Sequence, residues 1–442
     1  MAILIAGGAL FLASCQQPIE IEMTKLDDAL LTTISLEASL DDVTDVHWPG
    51  WRGNNASGVS ACLDLPVEWN HREGYRWRVS LSGEGNSSPV VWAGSVLTTS
   101  NVDGQLIVES RSLLDGQSIW TAKAGEAIGA THVKNGHASA SVATDGERVY
   151  AFFGSTGLYC FALEDGASLW HKQLGDLEHY WGTASSPVLY EDLVIQMCDS
   201  DHESFLVALN KLSGKEVWRT PRPSYGSWST PVFVTVERNG KKFVELIVNG
   251  TGTDDSRGGE VLAYDPLSGH PLWRVRGTTD IACPTAIVHN GLVLSTSGRR
   301  GPIIAIRPGG FGEVTDSHVE WEVPRGGPYV PTGLAIDGRL YLVGDSGIAS
   351  CYEVSTGEQL WRERIGGSYT ASLVAGDGKI YATSEEGDVT VFAQGDQFKL
   401  LSKNAMNDRC LATPAIAAGN IVLRTESHLY CIAPMQLAAA GE

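Results

Sequence analysis

One segment recurs along this chain with small changes. Residues 110–120 (SRSLLDGQSIW), 160–170 (CFALEDGASLW), 208–218 (ALNKLSGKEVW), 263–273 (AYDPLSGHPLW) and 351–361 (CYEVSTGEQLW) align without gaps, each with a glycine four residues before a tryptophan. Self-similarity at a period of about 40–50 residues marks a repeat array, in which small units close into one body. A chain of 442 residues therefore need not divide into several ordinary domains.

Each unit opens with a small polar residue and a proline or alanine before a short apolar run. The openings are Ser87-Ser88-Pro89-Val90, residues 138–142 (ASASV), Ser185-Ser186-Pro187-Val188, Ser229-Thr230-Pro231-Val232, Cys283-Pro284-Thr285-Ala286, Val330-Pro331-Thr332-Gly333, Thr370-Ala371-Ser372-Leu373 and Ala412-Thr413-Pro414-Ala415, eight in all. Turn dipeptides such as Asn290-Gly291, Asp337-Gly338 and Asp377-Gly378 follow. Short strands at even spacing with such turns read as four-stranded antiparallel sheets. Eight sheets around an axis make an all-β, eight-bladed β-propeller. The last unit lacks a fourth strand with its tryptophan, and a spare strand with one (Arg76-Trp77-Arg78-Val79) precedes the first unit. That N-terminal strand is expected to complete the eighth blade, which removes the free sheet edges.

The expected organisation is a targeting segment over 1–15, an acidic tether over 16–46, a lead-in over 47–75, the propeller over 76–434 and a tail over 435–442. The apolar start ends in Leu12-Ala13-Ser14-Cys15, which resembles the lipobox of bacterial lipoproteins. That resemblance implies export, cleavage before Cys15 and lipid on its thiol, although no Lys or Arg precedes the apolar run. The apolar run is too short to span a bilayer. With Lys+Arg 32 against Asp+Glu 52, the formal charge is −20. This argues against nucleic-acid binding, which needs a basic face, and against a polybasic membrane patch. Cys160, Cys351 and Cys431 share one position of the repeat, and Cys283 and Cys410 both precede a unit's opening strand. Such positions lie in different blades, too far apart to bridge, so these thiols read as core residues.

The pattern (Ala/Cys)-x-(Asp/Glu)-…-(Ser/Thr)-Gly-x-x-x-Trp, seen in 263–273 and 351–361, resembles the pyrroloquinoline-quinone-type propeller repeat over roughly Trp77 to Pro434. The resemblance implies one of two branches: quinoprotein dehydrogenases, or non-catalytic propellers that include BamB-like lipoproteins of the outer-membrane barrel-assembly machinery. Fold alone does not choose between them.

In a four-stranded blade the d–a and b–c loops share one face and the tight a–b and c–d turns the other. The turn face is uniform, while the loop face is irregular, and function concentrates on variable loops over a rigid scaffold. The candidate binding residues are Glu84, Asn86, Lys134, His137, His179, Trp181, Tyr225, Trp228, Asp280, Arg299, Tyr329, Tyr369 and Arg409. Solvated charges and aromatics packed over blade tops would give the same pattern. A quinone site would need cations for three carboxylates, aromatic faces, a divalent metal and a carboxylate base. Lys134, Arg299 and Arg409 could supply the cations, Trp181 and Trp228 the faces, and Asp280 or Glu84 the metal ligand or base, but nothing in the sequence fixes them together. The chain has no adjacent Cys-Cys pair, no CxxCH and no catalytic or metal-binding motif. The acidic runs 199–203 and Asp254-Asp255 have calcium-ligand residue types but do not fit the EF-hand register, and they read as exposed hairpin tips. The sequence thus points to a monomeric propeller in a bacterial envelope. It would be held to the membrane only by its lipid, carry no cofactor and bind a protein partner through the loop face. The alternatives are a dehydrogenase using pyrroloquinoline quinone with calcium, and a small-molecule or glycan binder using Trp181, Trp228 and Tyr225.

Overall fold

A computed structural model describes residue 23, residues 44–251 and residues 258–434. The expected targeting segment with Cys15, nearly all of the tether, the tail and the Asp254-Asp255 pair lie outside the described residues. The chain forms eight antiparallel blades: 90–126, 143–172, 188–222, 232–278, 287–323, 334–364, 374–405 and 415–432. Strand Trp77–Ser80 completes the last blade by pairing with His428–Ile432, so both ends of the propeller share one sheet. Among the described residues no helix is long and apolar enough to cross a membrane.

The repeated segment is the outer hairpin of each blade. Its first residue is small because it faces the tryptophan across the strand pair: Ser110 opposes Trp120, Cys160 opposes Trp170, Ala208 opposes Trp218 and Cys351 opposes Trp361. The indole then reaches the next blade. The Nε1–H groups of Trp77, Trp120, Trp170 and Trp321 donate to carbonyls of Leu113, Leu163, Lys211 and Val354 at 2.8–2.9 Å. Each ring lies flat against the turn glycine of that blade. A Cβ on Gly166 would come within 2.6 Å of Trp120, and one on Gly214 within 2.7 Å of Trp170. The glycine therefore serves twice, allowing positive φ in the turn and giving the neighbouring indole a bare surface.

Three junctions depart from this rule: Trp361 donates to Gly395 O at 3.0 Å without resting on that glycine, and the other two depart for a topological reason. Blade 8 takes its third and fourth strands from opposite ends of the chain, so it has no c–d turn. Blade 7 accordingly has Ser402 where other blades have tryptophan. The lead-in covers the gap: Trp69 N–H donates to Asn404 Oδ1 at 3.0 Å, and Tyr381 OH donates to Pro66 O at 3.0 Å. In blade 5 residues 307–318 replace the tight turn, carrying a short helix, Thr315–His318, and a strand, Gly312–Glu313, that adds in parallel to blade 4. With no turn carbonyl available, the fully buried Trp273 donates to Glu245 Oε2 at 2.7 Å, which also accepts from Gly309 N–H at 3.2 Å. Burial pushes the Glu245 carboxyl up to about 7, against the pull of those bonds and of Arg238.

Around the axis runs a closed ring of hydrogen bonds. Ser88 N–H donates to Ser141 Oγ, Ser141 to Ser186, Ser186 to Thr230, Thr230 to Thr285, Thr285 to Thr332, Thr332 to Ser372, Ser372 to Thr413 and Thr413 back to Ser88. All eight distances fall between 2.8 and 3.1 Å. These are the small polar residues of the blade openings. Their hydroxyls satisfy inner-strand N–H groups that no neighbouring strand can reach, and buried backbone donors must be satisfied somewhere.

The lead-in crosses the turn-side end of the channel. Trp48 bridges to Val91 in blade 1, Asn55 exchanges hydrogen bonds with Phe233 in blade 4, and Val59 bridges to Ala375 in blade 7. Arg52, fully buried, donates to the carbonyls of Ala56, Gly333 and Leu373. Among the described residues no carboxylate pairs with it, and burial lowers its pKa to about 9.

Two measurements check these points. Replacing Thr285 by valine removes one ring acceptor and strands a buried N–H, which should cost about 1–3 kcal/mol in denaturant unfolding; unchanged stability would remove the ring from the energetic account. The folded Glu245 carboxyl titrates near 7 against about 4.5 unfolded. Its contribution is therefore full below about 4.5 and is lost as pH rises through about 7, stability falling by roughly 1.4 kcal/mol for each pH step between those two values. Glu245→Gln should flatten that fall, and parallel profiles for the two proteins would contradict it.

Candidate functional site

The d–a loops of all eight blades meet at the loop-side mouth of the channel. They enclose a cavity of about 320 Å³ whose lining includes Asn86, Lys134, Trp181, Trp228, Cys283, Tyr329, Thr370 and Leu411. Trp51, carried in by the lead-in, lines it too and also lines a cavity on the turn side, so it stands between the two ends of the channel.

The aromatic wall is built from loops 2–3 and 3–4. Trp181 and Trp228 lie 5.5 Å apart, tilted by 44°, and His179 meets Trp228 edge-on at 4.8 Å. Trp228 Nε1–H donates to Gly182 O at 2.8 Å, which holds that indole, and Asn135 Nδ2 donates to the backbone carbonyl of Trp181 at 2.7 Å, which fixes the loop that carries the other. His179 Nε2 sits 3.2 Å from Asp201 Oδ1. Burial lowers the pKa of this imidazole, and Asp201 opposes that only in part. On the facing side, Tyr329 N–H donates to Asp345 Oδ2 at 2.7 Å, and burial raises both the phenol and the Asp345 carboxyl. Lys134 reaches across the mouth from blade 2 to Glu385 of blade 7, Nζ to Oε1 2.7 Å, and Thr370 donates to the same oxygen.

Of the residues singled out from sequence, Asn86, Lys134, Trp181, Trp228 and Tyr329 line this mouth, with His179 behind the indoles. Glu84, Asn86, His137 and Arg409 line a second cavity of about 300 Å³ between blades 8, 1 and 2. Tyr225 is exposed beside the aromatic wall. Asp280 and Arg299 are exposed outside both cavities. Tyr369 presents no binding surface: it is 2% exposed and packs in the core between blades 6 and 7. Within the acidic run 199–203, Asp199 is a buried structural residue. Its carboxylate is bidentate to Arg222 at 2.9 and 3.2 Å and accepts from Ser227 Oγ at 2.6 Å. Sequence reasoning missed Arg424 in the second cavity; the available signal was an arginine inside an apolar strand (IVLR).

The mouth does not fit a tricarboxylate quinone. Its lining carries one Lys or Arg, Lys134, whose ammonium already faces Glu385. The two indoles are tilted rather than parallel. Among the described residues no three His, Cys, Asp or Glu side chains are placed to share a metal ion.

Eight four-stranded blades with tryptophans docked on turn glycines define a β-propeller of the pyrroloquinoline-quinone repeat type. The sequence matches the family described as outer membrane protein assembly factor BamB over residues 67–231 and 257–427. The chain belongs to that family. No curated protein sequence matches it. Among solved structures it is similar to BamB from Moraxella catarrhalis, with 15% identity, a TM-score of 0.61 and coverage of 83% of this chain and 98% of that one. It is similar to a europium-containing methanol dehydrogenase at 10% identity and TM-score 0.66, covering 87% and 98%. The quinohemoprotein alcohol dehydrogenase from Comamonas testosteroni gives 12% and 0.66, covering 90% and 82%. At these identities the likeness is one of fold.

Removing Asp199 leaves Arg222 as an unpaired buried charge. Asp199→Ala should therefore cost about 3–5 kcal/mol, much of it recovered in Asp199→Ala/Arg222→Met. A double variant as unstable as the single one would contradict this role.

Proposed function

We propose that this chain is a non-catalytic scaffold of the bacterial cell envelope that binds a protein partner through its loop-rich face, in the assembly of outer-membrane proteins. The observation that carries the reading is the aromatic wall at the mouth. Trp181 and Trp228 are rigidly backed and partly exposed, and Val133, Tyr180 and Tyr225 stand 75%, 77% and 45% exposed on the adjoining loops. Rigid aromatics surrounded by exposed apolar side chains are what interface anchors look like. The channel behind them is filled by Trp51 and Arg52, so the face offers a shallow bowl rather than a passage. Membership of the BamB family supports an envelope setting, and the lipobox at Cys15 supports a lipid anchor.

Photo-crosslinkers placed at Val133, Tyr180 and Tyr225 should capture a component of the barrel-assembly machinery, and Trp181→Ala/Trp228→Ala should weaken capture by roughly tenfold or more. A crosslinker at Leu212, on the turn face, should not capture it. Equal capture from both faces would refute the assignment. Cys15→Ala should release the protein from the membrane fraction; retention there would refute the anchor.

A further inference from the structure

Among the described residues three arginines are at most 1% exposed: Arg52, Arg222 and Arg424. Arg222 has a carboxylate partner, and Arg52 is enclosed by carbonyls. Arg424 differs from both. Its Nη1 donates to Ser87 Oγ at 2.7 Å and Thr99 O at 2.8 Å, and its Nη2 donates to Ser100 Oγ at 3.2 Å. Among the described residues its Nε has no partner, and it forms no ion pair. The buried Glu109 acts on it only at a distance and is itself paired with Arg111 at 3.1 Å. Burial consequently lowers the Arg424 pKa to about 10. A buried cation without an ion-pair partner of its own is a costly arrangement for a fold to keep.

Arg424 is also part of the wall of the second cavity, the one of about 300 Å³ between blades 8, 1 and 2. Arg409 lines the same space; its carbonyl accepts from Glu426 N–H at 2.7 Å, two residues along the chain from Arg424. His132, His137 and the amides of Asn86 and Asn101 are among its other polar lining residues. Gly85 keeps the approach clear, since a Cβ there would lie 2.8 Å from Arg424 Nη2. Two carboxylates, Glu84 and Glu426, stand exposed among the lining residues.

We propose that this cavity binds the carboxylate of a small monocarboxylic acid, with Arg424 and Arg409 as the cations that receive it. Guanidinium groups match a carboxylate in charge and planar geometry. Glu84 and Glu426 disfavour a second negative charge on the ligand and leave room for a neutral or cationic far end, as in an α-amino acid. The proposal does not rest on the protein-partner reading.

The test is calorimetric titration of the full chain with propionate, L-alanine and citrate. Saturable heat is expected with propionate or L-alanine, and citrate should bind more weakly. Arg424→Gln should abolish binding. Because that change also breaks the bonds to Ser87, Thr99 and Ser100, Arg409→Gln is the deciding variant. Its side chain is only partly buried, so it should keep the fold, checked by circular dichroism, while weakening binding roughly tenfold. Absence of saturable binding by both monocarboxylates, equal affinity in Arg409→Gln, or tighter binding of citrate would each overturn the proposal.

Discussion

The closed ring of Ser and Thr hydroxyls around the axis is the constraint on which the rest of the structure depends. Blades diverge from the axis, so their innermost strands cannot pair with one another, and each leaves buried N–H groups facing a neighbour. A short hydroxyl side chain at the start of each inner strand bridges that gap, and eight such bridges return to the first blade. The ring fixes the inner radius of the propeller. The lead-in can then fill the turn-side end of the channel, and the loops of all eight blades are carried to a common mouth.

A second set of contacts works at the outer radius, where Trp77, Trp120, Trp170, Trp218 and Trp321 are each seated on the turn glycine of the next blade. Two exceptions are instructive because they occur where the partner surface is missing. Blade 8 has no c–d turn, so blade 7 has no tryptophan and the lead-in segment 65–69 is packed there instead. Blade 5 has a long excursion, so Trp273 is served by a buried glutamate. That substitution makes this junction sensitive to protonation.

Much of this was legible in the chain. Blade number, the closing N-terminal strand and the turn positions all follow from local patterns: a small residue, a glycine and a tryptophan at fixed spacing, and dipeptides that accept positive φ. The small polar openings were visible too, but their bonding joins residues 40–55 positions apart, and 325 apart where the ring closes, which no local pattern announces. The same limit explains the misread side chains. Tyr369 and Asp199 sit in segments that look like exposed loop, and only the fold turns one into the core and the other onto Arg222. Arg424 shows the reverse case, a charge in an apolar strand whose setting only the assembled blades reveal. The excursion in blade 5 carries Pro308-Gly309-Gly310 but no glycine four residues before Trp321, and its added strand pairs outside its own blade.

The loop face of this propeller thus combines a rigid aromatic wall, a blocked channel and a donor set unsuited to a quinone with its metal. Together these features favour a binding role over catalysis within a fold that serves both. The most direct measurement is titration of the full chain with pyrroloquinoline quinone in the presence of calcium, followed by absorbance and heat. The account predicts no saturable binding. Saturable, calcium-dependent binding, lost on Lys134→Ala, would contradict it and place the chain with the dehydrogenases.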